Sequence, residues 1–212
     1  MERASRIAAA RGVLEMHRKF GWVTLALLLG CATAVVAGPP LARDEALKLM
    51  ARPGSWIEAD GAMQPDGTLL GKDFEIVAPG DTANKEEPAI YGTVENLNRA
   101  KSSMKILGYM VQWNADTTFK DDSKRKILSS KVDEGAGVKV QGNLQPNGTF
   151  LATKVKLQAV QRSSDGKVKG AKEKVFGPVT VLDARTGRLR VLNTTVTLRP
   201  DATLVEAAPQ AP

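Results

Sequence analysis

The chain of 212 residues has one cysteine and one histidine, and both, Cys31 and His17, precede residue 38. Beyond that point no disulfide framework or thiol nucleophile can form, and a zinc site of the usual Cys/His kind has no ligands. Imidazole is equally missing, which removes a Ser-His-Asp triad and histidine general-base chemistry. What is left is carboxylate, lysine and hydroxyl chemistry, so the sequence predicts a protein that is not an enzyme and that carries no metal or cofactor. Aromatic side chains are scarce as well, at 5% of the chain. Charge of one sign is also scarce. The formal net charge is +7, and discounting residues 1–37 removes five basic and two acidic side chains and leaves +4. A surface for single-stranded nucleic acid needs a strong positive groove and stacking rings, so both counts argue against nucleic acid as a partner.

One long apolar run is present, near the start. His17-Arg18-Lys19-Phe20 is followed by GWVTLALLLGCATAVVAG, which has no charged side chain. Val35-Val36-Ala37 then places small or short side chains where a signal peptidase reads, and Gly38-Pro39-Pro40 breaks the run. The expected segment is a signal peptide, helical in its apolar core, over residues 1–37, with Met1 or Met16 as its start. This predicts a periplasmic or secreted location. Two alternatives stand beside it. The run is close to the length a membrane span needs, so an uncleaved anchor is one. Leu28-Leu29-Gly30-Cys31 has lipobox-like spacing, so lipidation at Cys31 in a membrane-anchored lipoprotein is the other. Membrane association is expected only by one of these two routes.

The remaining chain repeats itself. GAMQPDGTLLGKDFEI (61–76) returns as GNLQPNGTFLATKVKL (142–157), and an offset of 81 superimposes Gly54, Gly61, Gln64, Pro65, Gly67, Thr68 and Leu70 on identical residues. Each copy alternates apolar and polar side chains on both sides of Pro-Asp-Gly or Pro-Asn-Gly, the signature of a β-hairpin with one buried face. A second repeat runs at an offset of 85: Ile90–Phe119 aligns with Val175–Leu204, and Gly92, Val94, Ile106 and Val111 meet Gly177, Val179, Val191 and Val196. This unit reads as a β-meander. Chain order is therefore hairpin, meander, hairpin, meander.

Residues 89–159 hold one complete meander-plus-hairpin unit, with KDDSKRKILSSKVDEG between its halves read as a short helix capped by Asp122 or Ser123. Three strands, a helical connection and two strands is the order of an OB-like small barrel. An isolated hairpin is unstable and leaves open edges. The hairpin and short amphipathic helix of 43–78 are accordingly predicted to pair with the meander of 175–206 and close a second barrel. Two truncated barrels in tandem are the alternative. The fold class is thus all-β with minor helix. Residues 160–174 read as a basic linker and 207–212 as a disordered tail.

GYMVQWNADTTF followed by VDEGAGVKVQGNLQPNGTFLATKVKL resembles the bacterial extracytoplasmic family catalogued as domain of unknown function 5666. The resemblance covers 89–159 well, and 54–78 and 175–206 each carry half of the pattern. It implies export and an OB-like small barrel, and brings no catalytic residue. The hairpin is also distantly similar to the periplasmic haem chaperone of cytochrome c maturation. That family's haem-bearing histidine has no counterpart here, since His17 lies ahead of the apolar run.

Few residues offer a site. Ser102-Ser103-Met104-Lys105 has a Ser-x-x-Lys spacing, but at a strand turn and not on a helix. Asp121-Asp122 and Glu86-Glu87 lack the alternating oxygen ligands of a calcium loop, and Glu58 and Asp60 show no partner carboxylate. The aromatics remain. Trp56 is out of phase with Ile57 and Ala59, so it either packs on the helix at 44–52 or presents a stacking platform. Trp113 shares parity with Val111 and aligns with Leu198, which points to the core; it, Trp56 and Tyr109 are the ligand-binding candidates. The function expected is that of a non-catalytic exported protein of the bacterial cell envelope, binding or scaffolding an envelope protein or polysaccharide. A carbohydrate- or oligomer-binding module using a barrel face is the alternative, and a carboxylate hydrolase a more distant one.

Overall fold

A computed structural model describes residues 39–77, 79, 87–159 and 171–207. The expected signal peptide, Cys31, most of the basic linker and residues 208–212 lie outside the described residues. A helix, α1 (Arg43–Met50), leads into the first hairpin, β1 (Trp56–Met63) and β2 (Leu69–Val77). The middle stretch forms β3 (Ala89–Thr93), β4 (Glu95–Asn98), β5 (Ser103–Ile106), β6 (Tyr109–Gln112), β7 (Thr118–Lys120), β8 (Gly137–Leu144) and β9 (Phe150–Leu157). The last is a meander of β10 (Glu173–Asp183), β11 (Arg188–Val191) and β12 (Thr194–Glu206). It begins two residues inside the stretch read as linker.

Both hairpins turn by the same chemistry. The Gly67 N–H donates to the Gln64 carbonyl at 2.9 Å, and the Thr68 N–H to Asp66 Oδ1 at 2.9 Å. Gly148 and Gln145, and Thr149 and Asn147, repeat these bonds at 2.9 and 3.0 Å. Both residues of Asp-Gly and Asn-Gly tolerate positive φ. In the structure only the glycines adopt it, at +81° for Gly67 and +83° for Gly148. Proline opens each turn in its preset φ, the Asx side chain holds the amide two residues on, and glycine absorbs the left-handed step.

The pairings draw two rings. β1 pairs with β2, β2 runs parallel to β12, β12 pairs with β11, β11 with β10, and β10 returns to β1. This is a closed five-stranded barrel made from the N-terminal hairpin and the C-terminal meander, as the repeat predicted. In the middle stretch β3 pairs with β8, β8 with β9, β9 with β6 in parallel, β6 with β5, and β5 with β4. Only Val94 separates β3 from β4, so these are two halves of one bent strand and the second ring is complete. β7 lies parallel along the far part of β9.

One antiparallel ladder joins the rings. Val175 on β10 faces Ile90 on β3, Lys174 faces Tyr91, and Phe176 faces Ala89. Residues 85 apart are repeat equivalents, so the central pair couples equivalent positions and the flanking pairs exchange them. That is the geometry of an isologous two-fold contact, here within one chain. Tyr109 and Thr194, also 85 apart, obey the same relation, with hydroxyl oxygens 2.7 Å apart.

The shared sheet has one apolar face. Ile57, Ala59, Val175, Ile90, Val138 and Val140 are all fully buried, and both rings curl over that side. α1 packs on β2 and β12 and buries Ala46, Leu47, Leu49 and Met50, while the Ser55 hydroxyl donates to the Leu49 carbonyl at 2.7 Å. In the middle ring the expected helix capped by Asp122 or Ser123 does not form. There is one 3-10 turn, Ser129–Lys131, and Asp121 instead accepts from the Arg125 N–H and guanidinium, both at 2.9 Å. Asp121 thereby closes a loop against Arg125, and the charges that resembled a helix face serve that turn.

Candidate functional site

The outer face of the shared sheet spans six strands in the order β2, β1, β10, β3, β8, β9. Directly paired residues project to the same side, so the register fixes its contents. One row reads Asp73, Asp60, Lys174, Tyr91, Lys139, Lys156, and the next reads Glu75, Glu58, Phe176, Ala89, Gln141, Lys154. Carboxylates occupy the β1 and β2 end, lysines the β8 and β9 end, and rings the middle.

Lys174 ties the centre. Its Nζ lies 2.6 Å from Glu58 Oε1 and 3.2 Å from Asp60 Oδ2, and its side chain is 18% exposed. Burial works against this ammonium, but hydrogen bonds and charge from Glu58 and Asp60 outweigh it and raise the pKa above the ordinary lysine value. The Tyr91 hydroxyl donates a long 3.4 Å bond to Glu58 Oε2, and Lys139 Nζ stands 4.9 Å over the Tyr91 ring. The two carboxylates the sequence left without a partner therefore share one cation.

The three aromatic candidates are not brought together. Trp56 is half-buried on the outer face and tilts against Phe176 with ring centroids 5.2 Å apart, so its neighbour is that ring. Tyr109 is buried between the rings, edge-on to Phe150 at 6.1 Å, and its hydroxyl also accepts from the Asn193 N–H at 3.0 Å. Burial raises its pKa, although the bonds from Thr194 and Asn193 oppose the shift. Trp113 is partly buried against the core, edge-on to Phe119 at 5.9 Å. The residues that the sequence reading missed are Lys174, Phe176 and Tyr91. Alternation of Lys174 and Phe176 with Val175 and Gly177 was the available signal, masked by the lysine run before it.

A shallow groove of about 490 Å³ opens elsewhere between the rings, lined by Pro88, Leu144, Pro178, Arg190, Leu192 and Asn193. No cluster of three or more metal-ligating side chains occurs among the described residues. Ser102 lies on a turn at φ +48°, and Ser103 and Lys105 on β5, so the Ser-x-x-Lys spacing builds no helical serine–lysine pair.

Two OB-ordered rings fused along one sheet define a small-β-barrel protein. Residues 91–156, the middle ring, match the family model described as Domain of unknown function (DUF5666), and that stretch carries the domain. No curated protein and no solved structure matches the chain.

Proposed function

We propose that this is a non-catalytic, exported small-barrel protein of the bacterial cell envelope that holds another envelope protein on the outer face of its shared sheet. The observation that carries the reading is the register of that face. Acidic side chains at one edge, lysines at the other and a ring-lined centre offer a partner one orientation. Export rests on the apolar run before Gly38.

A photo-crosslinking residue at Gln141, compared with one at Gln112 on β6, tests the face. A discrete adduct from Gln141 that disappears with Glu58→Lys is the expected result. Equal adducts from both positions would sink the reading. Mass spectrometry of the mature N-terminus tests export by distinguishing Gly38, a diacylated Cys31 and an intact leader.

Polysaccharide is the second reading, favoured by Trp56 lying against Phe176 beside Glu58, since ring pairs stack on sugars. Titrating oligosaccharides while following Trp56 fluorescence in a chain carrying Trp22→Phe and Trp113→Phe separates the two.

A further inference from the structure

We propose that the split barrel closes in trans as well as in cis, so that β1–β2 of one copy completes β10–β12 of a second copy of this chain. The inference does not depend on what the outer face binds. It rests on the ladders by which the N-terminal hairpin joins the C-terminal meander. The hairpin holds its own ladder from Trp56↔Val77 to Met63↔Leu69, and residues 78–88 lead from it to β3. Its seams with the meander are two backbone ladders: Trp56–Gly61 antiparallel to Pro178–Glu173, and β2 parallel to β12. The Lys174 bridges to Glu58 and Asp60 and the contact of Trp56 with Phe176 cross the first of these seams.

Nothing in either ladder depends on which copy supplies the hairpin. A meander without one exposes an open edge on β10 and another on β12, and only a hairpin of this register satisfies both. The exchanged ring makes the same contacts as the internal ring, so the balance is set by the effective concentration of the tethered hairpin against the concentration of other copies. Copies folding close together, or a connection too short to reach, therefore favour exchange. Two copies that swap reciprocally close the assembly, and exchange along a row extends it.

Asp73 and Thr203 are both exposed and face each other in the parallel register of β2 and β12. In the full chain with Cys31→Ser, one preparation carries Asp73→Cys and another Thr203→Cys. They are mixed in denaturant, refolded together and oxidised. Covalent heterodimer that rises with protein concentration is expected, as is a ladder of multimers from the chain carrying both substitutions. Deleting Pro79–Glu87 leaves two connecting residues, a reach of about 11 Å, against three strand spacings of about 14 Å from β2 to β3. That variant is expected to be dimeric or larger at concentrations where the parent is a monomer. A doubly substituted chain that only links internally, with a mixture no more crosslinked than a Gln112→Cys and Thr203→Cys control, overturns the proposal. So does a folded, monomeric deletion variant. If the deletion does not fold, the mixture decides alone.

Discussion

At Gly61 and Gly142 the backbone ladder shifts register, and a side chain at either place would drive into the carbonyl oxygen of Leu70 or Leu151. Relief would need the opposing backbone to move, because no flexible side chain stands in the way. Gly142→Ala is therefore expected to cost about 1–3 kcal/mol, read as a fall in the denaturation midpoint at unchanged slope. Tyr109 and Lys174 make a second residue-scale case. Both have folded pKa values raised above the ordinary 10.0 and 10.5. Each therefore contributes stability that is full below its unfolded pKa and is lost as pH climbs through the folded one. Melting temperature should hold from neutrality to about pH 10 and then fall. Tyr109→Phe, which leaves Thr194 and the Asn193 N–H short of a partner, should melt lower at pH 8 by the equivalent of about 1–2 kcal/mol and decline less steeply above pH 10.

Among elements, α1 and the loop around Ser129–Lys131 hold equivalent places, each preceding the fourth strand of its ring, yet they were not equally legible. α1 carries apolar residues at helical spacing, with Ala46, Leu47, Leu49 and Met50 all buried, so periodicity disclosed it. The other loop offered charges at similar spacing and no comparable apolar stripe; the Asp121 turn claimed them. Met50, 1% exposed, should cost about 2–5 kcal/mol when cut to alanine, whereas Val132→Ala in the other ring should cost about 1, both by chemical denaturation. The hairpins were readable down to the residue because alternation and turn glycines are local signals. Lys174 was not. Its strand starts inside a charged run, and its partners Glu58 and Asp60 stand more than a hundred residues earlier, where no spacing rule connects them.

For the molecule as a whole, ring closure from four separated fragments could be argued from the sequence because a hairpin or meander with open edges is unstable alone. The ladder between β3 and β10 could not, since pairing between non-consecutive strands leaves no periodic trace. Ile90 and Val175 sit at its centre, fully buried, in one cluster of buried side chains drawn from both rings. Ile90→Ala is expected to cost about 2–5 kcal/mol and to raise amide exchange in β11 and β12 as well as in β8 and β9. Changes confined to the middle ring would show that the two rings unfold separately. The same joint carries one more consequence. In a pair of identical molecules, any substitution on the symmetry axis arrives twice, and a large ring there must make room for its own twin. With the halves spliced into a single polypeptide, Tyr109 meets the smaller Thr194, and each side of the axis is free to change without the other.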